Sequence, residues 1–248
     1  MRFGFKLAAL VIALGIAAPA HAATVSVAVA ANFTKVAEEL GAAFKAKTGD
    51  ELQISPGATG QLYTQITQGA PFQVFLAADD QRPQKAVAEG FGVEGSVFTY
   101  AVGKLVLYGI ATDVTNGAEV LKAGDFQKLS IADPETAPYG AAAVETLKAL
   151  DLYDALSPKI VTAQNITQAQ QFVESGSAEL GFVALSQVIG ADKGTQWLVP
   201  ADLYQPIKQD AVLLKTGENE PAAKAFLDYL QSDEAIAIIK KSGYEVAP

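Results

Sequence analysis

Cysteine is absent from this 248-residue chain, histidine and methionine occur once each, and there is one tryptophan. Met1 is the initiator and His21 lies close behind it, so both single residues fall in a stretch that reads as an export leader. Arg2 and Lys6 give a short basic start, Leu7 to Ala18 is apolar, and Ala20-His21-Ala22 has the A-x-A form of a cleavage site. A membrane anchor would need roughly 20 apolar residues, and Pro19 interrupts this run sooner. No cysteine follows the apolar segment, which excludes a lipid-anchored exported form. Residues 1–22 are therefore expected to be a cleaved signal peptide.

Taking those 22 residues from 248 leaves 226, and it removes Arg2, Lys6, His21 and Met1. The remainder carries 16 basic and 27 acidic side chains, a net charge of −11, with no His, Cys or Met. A zinc site of the usual kind, a haem or iron–sulfur ligand set, a Cys or His nucleophile pair and a Ser-His-Asp triad are all excluded by composition. The acidic balance argues against a nucleic-acid partner, because phosphate contacts need clustered Lys and Arg. Half of the residues are apolar, enough for a large core.

Strand-like and helix-like stretches alternate along what remains. Strands are expected at Thr24–Ala30, Glu51–Ser55, Gln73–Ala78, Lys128–Ala132, Lys159–Ala163 and Glu179–Ala184, with helices at Lys35–Lys47, up to Gln68, Pro83–Gly90, Pro138–Leu150 and Ile166–Ser175. Phe98–Tyr108 and Ile207–Leu214 read as long extended runs, and helices Glu220–Leu230 and Asp233–Ser242 close the chain. Such alternation predicts an α/β fold with mostly parallel sheets flanked by helices. Two sets of alternating units favour two lobes, residues 23–103 with 210–248 and residues 104–209, joined by two crossing strands that can act as a hinge. No internal sequence repeat is visible.

Four strand-to-helix junctions carry small or polar residues: Ala30-Ala31-Asn32-Phe33, Gly57-Ala58-Thr59-Gly60, Ala137-Pro138-Tyr139-Gly140 and Gln164-Asn165-Ile166-Thr167. Any one of them is explained by helix capping. Four together point to a binding site, because ligands of open α/β sheets sit at the carboxyl ends of the strands. A helix N-terminus offers unpaired N–H groups and the positive end of a dipole, hence an anion site that needs no cationic side chain. Asp79-Asp80 could serve as a carboxylate pair, but caps and dipole partners are the favoured reading. The glycosylation pattern at Asn32-Phe-Thr34 and Asn165-Ile-Thr167 reads as chance, since sugar there would block the junctions.

With these residues in view, the chain resembles the periplasmic molybdate-binding proteins of ABC transporters. The resemblance rests on Ala31-Asn32-Phe33, Gly69-Ala-Pro-Phe-Gln-Val-Phe75, Phe98-Thr-Tyr-Ala-Val-Gly-Lys-Leu-Val-Leu107, Ala137-Pro138-Tyr139-Gly140, Leu180-Gly-Phe-Val-Ala-Leu185 and Ala237-Ile-Ile-Lys240. It implies a two-lobed periplasmic binding protein fold and a monomer that closes on molybdate or tungstate and delivers it to a membrane permease with its ATPase. It implies no cofactor, no metal held directly by protein side chains, and no catalysis. Carried over position by position, Asn32 would donate from its side chain and its amide, with Ala31 adding a backbone contact. Thr59 would give a hydroxyl, Tyr139 a backbone N–H with or without its phenol, and Ile166 its backbone N–H. One departure stands out: the family often has Tyr where this chain has Ala184. Two other functions stay open, a receptor for sulfate or another small oxyanion, and an exported lyase or hydrolase working through Asp79, Asp80 or Asp133.

Overall fold

The computed structural model describes residues 22–246. The expected leader, apart from Ala22, lies outside the described residues. The chain begins β1 (Thr24–Ala30), a 3-10 turn at Ala31–Phe33, α1 (Thr34–Thr48), β2 (Glu51–Gly57), α2 (Thr59–Thr67), β3 (Val74–Leu76), α3 (Gln81–Ala88) and β4 (Phe98–Gly103). There follow β5 (Leu105–Gly109), α4 (Gly117–Ala123), β6 (Leu129–Ala132), α5 (Pro138–Ala149), α6 (Tyr153–Leu156), β7 (Ile160–Ala163), α7 (Ile166–Glu174), β8 (Leu180–Ala184) and α8 (Leu185–Val188). The last elements are β9 (Thr195–Leu198), β10 (Ile207–Leu213), α9 (Pro221–Leu230) and α10 (Asp233–Lys241).

The strands form two five-stranded sheets, β2-β1-β3-β10-β4 and β7-β6-β8-β5-β9. In the first, β1 is parallel to β2 and β3, while β10 is antiparallel to β3 and β4. In the second, β6 is parallel to β7 and β8, while β5 is antiparallel to β8 and β9. Each sheet thus has four strands in one direction and one reversed, at the same place in the order. The sheets repeat one topology although the sequence shows no repeat, with β1 and β2 standing where β6 and β7 stand in the other lobe.

Strands buried on both faces read as continuous apolar runs, and β1 fits: five of its seven residues are buried. Val27, Val29, Phe33, Leu40, Phe44 and Phe226 pack on one face of the first sheet; Leu62, Ile66 and Phe75 lie on the other. The second sheet has Leu105, Leu121, Leu129 and Phe182 on one side and Val106, Val173 and Val183 on the other. Helix ends follow the sequence signals. Gly49 takes φ +86° beyond α1 and donates its N–H to the Lys45 carbonyl, Pro138 opens α5, and the Asn165 side chain caps α7 at Gln168 N–H, 3.0 Å.

The run Phe98–Tyr108 is two strands in different sheets rather than one, divided at Lys104, where the lobe boundary was expected. A Cβ on the preceding Gly103 would lie 2.0 Å from the Tyr139 hydroxyl and 2.6 Å from Gln209 Nε2. Any larger residue would have to displace these two buried side chains, and the passage is where the chain moves from one lobe to the other. The return runs from β9 to β10. Helix α4 and strand β9 were not expected from the sequence. No helix among the described residues is long and apolar enough to cross a membrane.

Candidate functional site

The carboxyl ends of β1, β2, β6 and β7 face one another across the lobes, so the four junctions meet around one small cavity of about 10 Å³, room for roughly one water-sized sphere. Its wall consists of Ala30, Ala31, Asn32, Gly57, Ala58, Thr59, Ala78, Ala137, Pro138, Tyr139, Asn165 and Ile166. All four residues expected from the sequence to hold a ligand are brought together here, and none of the twelve carries a charge. Asn32, Thr59, Tyr139 and Ile166 are each no more than 4% exposed. A second cleft of about 270 Å³ shares Ala78, Ala137 and Pro138 with this cavity and is lined by Asp79, Asp80, Arg82, Glu135, Glu145 and Lys208.

The amides of Asn32, Thr59, Tyr139 and Ile166 lie in the first turns of their helices, where no intrahelical acceptor exists. No other backbone acceptor among the described residues takes them. Thr59 Oγ accepts the N–H of Ala78 at 3.1 Å, which orients the hydroxyl and leaves its own proton to donate. Asn32 differs from expectation. Both protons of its side-chain amide are spent, Nδ2 donating to Gln209 Oε1 at 2.8 Å and to the Tyr244 hydroxyl at 2.9 Å. What remains without a backbone acceptor is its N–H, and the side chain holds the loop in place.

Tyr139 turns its phenol toward the lobe crossing, where the hydroxyl accepts from Gln209 Nε2 at 3.2 Å. Burial pushes its pKa well above the usual phenol value, and burial pushes that of Tyr244 up to about 12. Both remain neutral donors throughout the physiological range. Ala184 does not line the cavity; it is fully buried in the same apolar cluster as Tyr139, and its N–H is taken by Gln187 Oε1 at 3.0 Å.

Hydrogen bonds cross between the lobes around the cavity. Gly60 N–H donates to the Thr136 carbonyl at 2.8 Å, Thr167 Oγ to the Ala31 carbonyl at 3.2 Å and Ser186 Oγ to the Asn32 carbonyl at 3.1 Å. Arg82 Nη2 donates to the Glu135 carbonyl at 3.0 Å while its other end pairs with Asp79. Asp79 also accepts the Arg82 N–H at 2.9 Å, and Asp133 accepts Glu135 N–H and Thr136 Oγ, both at 3.0 Å. Asp79 and Asp133 shape turns, so the capping reading of Asp79-Asp80 holds for Asp79; the side chain of Asp80, at the N-cap position of α3, accepts no cap hydrogen bond.

Gln209, Tyr244 and Ser186 escaped sequence reasoning. Gln209 stands between Lys208 and Asp210 in the polar first half of β10, where nothing local sets it apart, yet it is completely buried. Nothing local marks Tyr244 or Ser186.

A model of the bacterial extracellular solute-binding proteins matches residues 25–245. The chain belongs to that family. Among its relatives are the molybdate-binding proteins ModA of Rhodobacter capsulatus, 56% identical over 95% of this chain and 94% of that protein, and of Azotobacter vinelandii, 52% identical over 97% and 98%. The solved periplasmic molybdate-binding protein of Azotobacter vinelandii superimposes with a TM-score of 0.86 at 38% identity, covering 90% of this chain and all of that one. A sulfate-binding protein from Mycobacterium tuberculosis, 12% identical at a TM-score of 0.77, shares the fold alone.

Proposed function

We propose that this protein is the solute-binding component of an ABC importer, which takes up molybdate, and tungstate with it, in the periplasm and hands it to a permease and its ATPase. The reading rests on one observation above the rest: four helix N-termini from two lobes converge on a buried cavity without a charged wall residue. Identity above 50% to two molybdate-binding proteins supports the choice of ion. Asn32, Thr59, Tyr139 and Ile166 are proposed as the ligand residues. Residues 1–22 are proposed as the cleaved leader and the mature chain as a monomer; of the expected lobes, 23–103 with 210–248 and 104–209, the second boundary moves back to Ile207, because Ile207–Gln209 pair with β4 in the first sheet.

The energetics favour such a site. A hydrogen bond to a charged group contributes about 1.5–3 kcal/mol, and each dipole end about 0.3–2 kcal/mol. Five donors, the four amides and the Thr59 hydroxyl, gross roughly 8–15 kcal/mol against the ion's hydration and lost translational freedom. Micromolar to nanomolar affinity, about −8 to −12 kcal/mol, is within reach. A fully deprotonated dianion suits the donor-only wall. Phosphate, which keeps a proton near neutrality, would need a carboxylate acceptor, and none lines the cavity. Sulfate differs from molybdate in size rather than charge, so fit must discriminate.

Calorimetric titration of the mature protein with molybdate, tungstate, sulfate and phosphate is expected to give tight binding of the first two and weak or no binding of the others. Sulfate binding as tightly as molybdate would sink the size-selective reading. Thr59→Ala is expected to weaken molybdate binding by about 1–3 kcal/mol, an unchanged affinity placing the hydroxyl outside the site. Its loss of the acceptor for Ala78 N–H adds a smaller cost in melting temperature.

A further inference from the structure

Beyond β10 and its two following helices, the chain returns to the lobe crossing. Glu245 pairs with Val102 of β4 through two backbone hydrogen bonds, Val102 N–H to Glu245 O at 2.7 Å and Glu245 N–H to Val102 O at 3.0 Å. It also reaches Lys104, the residue at which the chain changes lobes, in a 2.8 Å ion pair. The turn before it touches the other lobe: a Cβ on Gly243, which sits at φ +88°, would lie 3.2 Å from Leu185 and Ile189 side-chain atoms. Between these contacts Tyr244, 5% exposed, inserts its ring edge-on against Phe33, centroids 5.3 Å apart.

The Tyr244 hydroxyl then makes three contacts at one point. It donates to the Asn32 carbonyl at 2.9 Å and accepts from Asn32 Nδ2 at 2.9 Å. Ser186 Oγ, on the opposite lobe, lies 2.8 Å from this hydroxyl and 3.1 Å from the same Asn32 carbonyl, and shares its single proton between the two. Both Asn32 bonds are made within one lobe and need no closure. The Ser186 bond exists only while the lobes are together, and a contact found in one state alone biases the equilibrium toward that state.

We propose that Tyr244 is a positioning residue for oxyanion capture, tying the Asn32 loop of one lobe to Ser186 of the other, so that the C-terminal segment works as a strap holding the closed form. The proposal rests on the binding function proposed above. Tyr244 touches no ligand. It fixes the loop whose backbone N–H does, and it slows reopening.

The test is a double-mutant cycle on the mature protein with Tyr244→Phe, Ser186→Ala and the pair, read in molybdate affinity, in molybdate release rate and in ligand-free melting temperature. Each single change is expected to raise Kd about five- to tenfold, the scale of one neutral hydrogen bond, and to speed release by a similar factor. The pair is expected to match the larger single effect rather than the product, and the same cycle in ligand-free stability to be additive, because the two residues are then apart. Additive effects on affinity, or coupling of equal size without ligand, would overturn the strap while leaving the binding function standing. A parent protein that binds no molybdate, tungstate or sulfate would instead overturn the function and the strap with it.

Discussion

Gly140→Ala is expected to destabilise the second lobe and to damage ion binding in the same stroke. A Cβ at this position would lie 2.1 Å from the Ala132 carbonyl oxygen and 2.7 Å from its carbon. Both are backbone atoms at the end of β6, so no side chain can swing aside, and the first turn of α5 must lift from the sheet. Overpacking costs typically about 1–3 kcal/mol, and an obstacle made of backbone puts this case at the upper end. For a chain of this size each kcal/mol shifts the melting temperature by roughly 2–4 °C, so a fall of about 6–12 °C is expected by calorimetry. Tyr139 N–H is on the turn that moves, and losing one hydrogen bond to a charged ligand, about 1.5–3 kcal/mol, means an affinity lower by about 10- to 150-fold. Gly41→Ala is the matched comparison. Its Cβ meets only the Leu52 side chain, 3.3 Å away, and the helix gains about 1 kcal/mol of propensity, so stability should hold or rise slightly. Equal behaviour of the two variants would show that the close approach at Gly140 does not constrain α5.

That contrast also marks what could be read without coordinates. Strands such as β1 and helices such as α7 announce themselves through unbroken apolar runs, N-caps and stop residues, all of which act within a few positions. The four junctions were legible for the same reason, since a small residue, a cap and a helix start are adjacent in sequence. Two things were not. The break into two strands lies inside a run whose composition is strand-like throughout, although the lobe boundary was expected there; the room beside Gly103 is taken by the Tyr139 hydroxyl, 36 positions away in sequence, which a Cβ would meet at 2.0 Å. The partners of the Asn32 side chain, Gln209 and Tyr244, stand 177 and 212 residues away, beyond the reach of local pattern. Local pattern can propose that an amide is available. Only long-range packing decides whether its protons are already spent.

The commitment of Asn32 makes it the position at which charge is least tolerable, and Asn32→Asp is expected to have the largest effect on binding. The side chain is 4% exposed, no cation lines the cavity, and the Gln209 oxygen that accepted from Nδ2 would now face another acceptor. Gln209 can turn its amide round to donate to the new carboxylate, its Oε1 then accepting from the Tyr139 hydroxyl, so the penalty that remains is the repulsion between the carboxylate and the bound dianion. For two unit charges about 5 Å apart at an effective dielectric of about 20, repulsion is roughly 3 kcal/mol, and about twice that against a dianion. Molybdate affinity should therefore fall by at least about a thousandfold at pH 8. Burial without a counter-charge raises the folded-state pKa of the introduced carboxyl above its unfolded value of about 3.9. The folded protein then binds more protons than the unfolded one wherever the two differ. Relative to the parent, stability is least impaired below about pH 4 and is lost as the pH rises through the folded-state pKa. Titrations at pH 6 and pH 8, with melting curves beside them, should show affinity and stability recovering together toward the acid side. A variant that binds within tenfold of the parent at both pH values would mean that the Asn32 side chain stands outside the field of the bound ion, and the first-loop contact would have to be sought elsewhere.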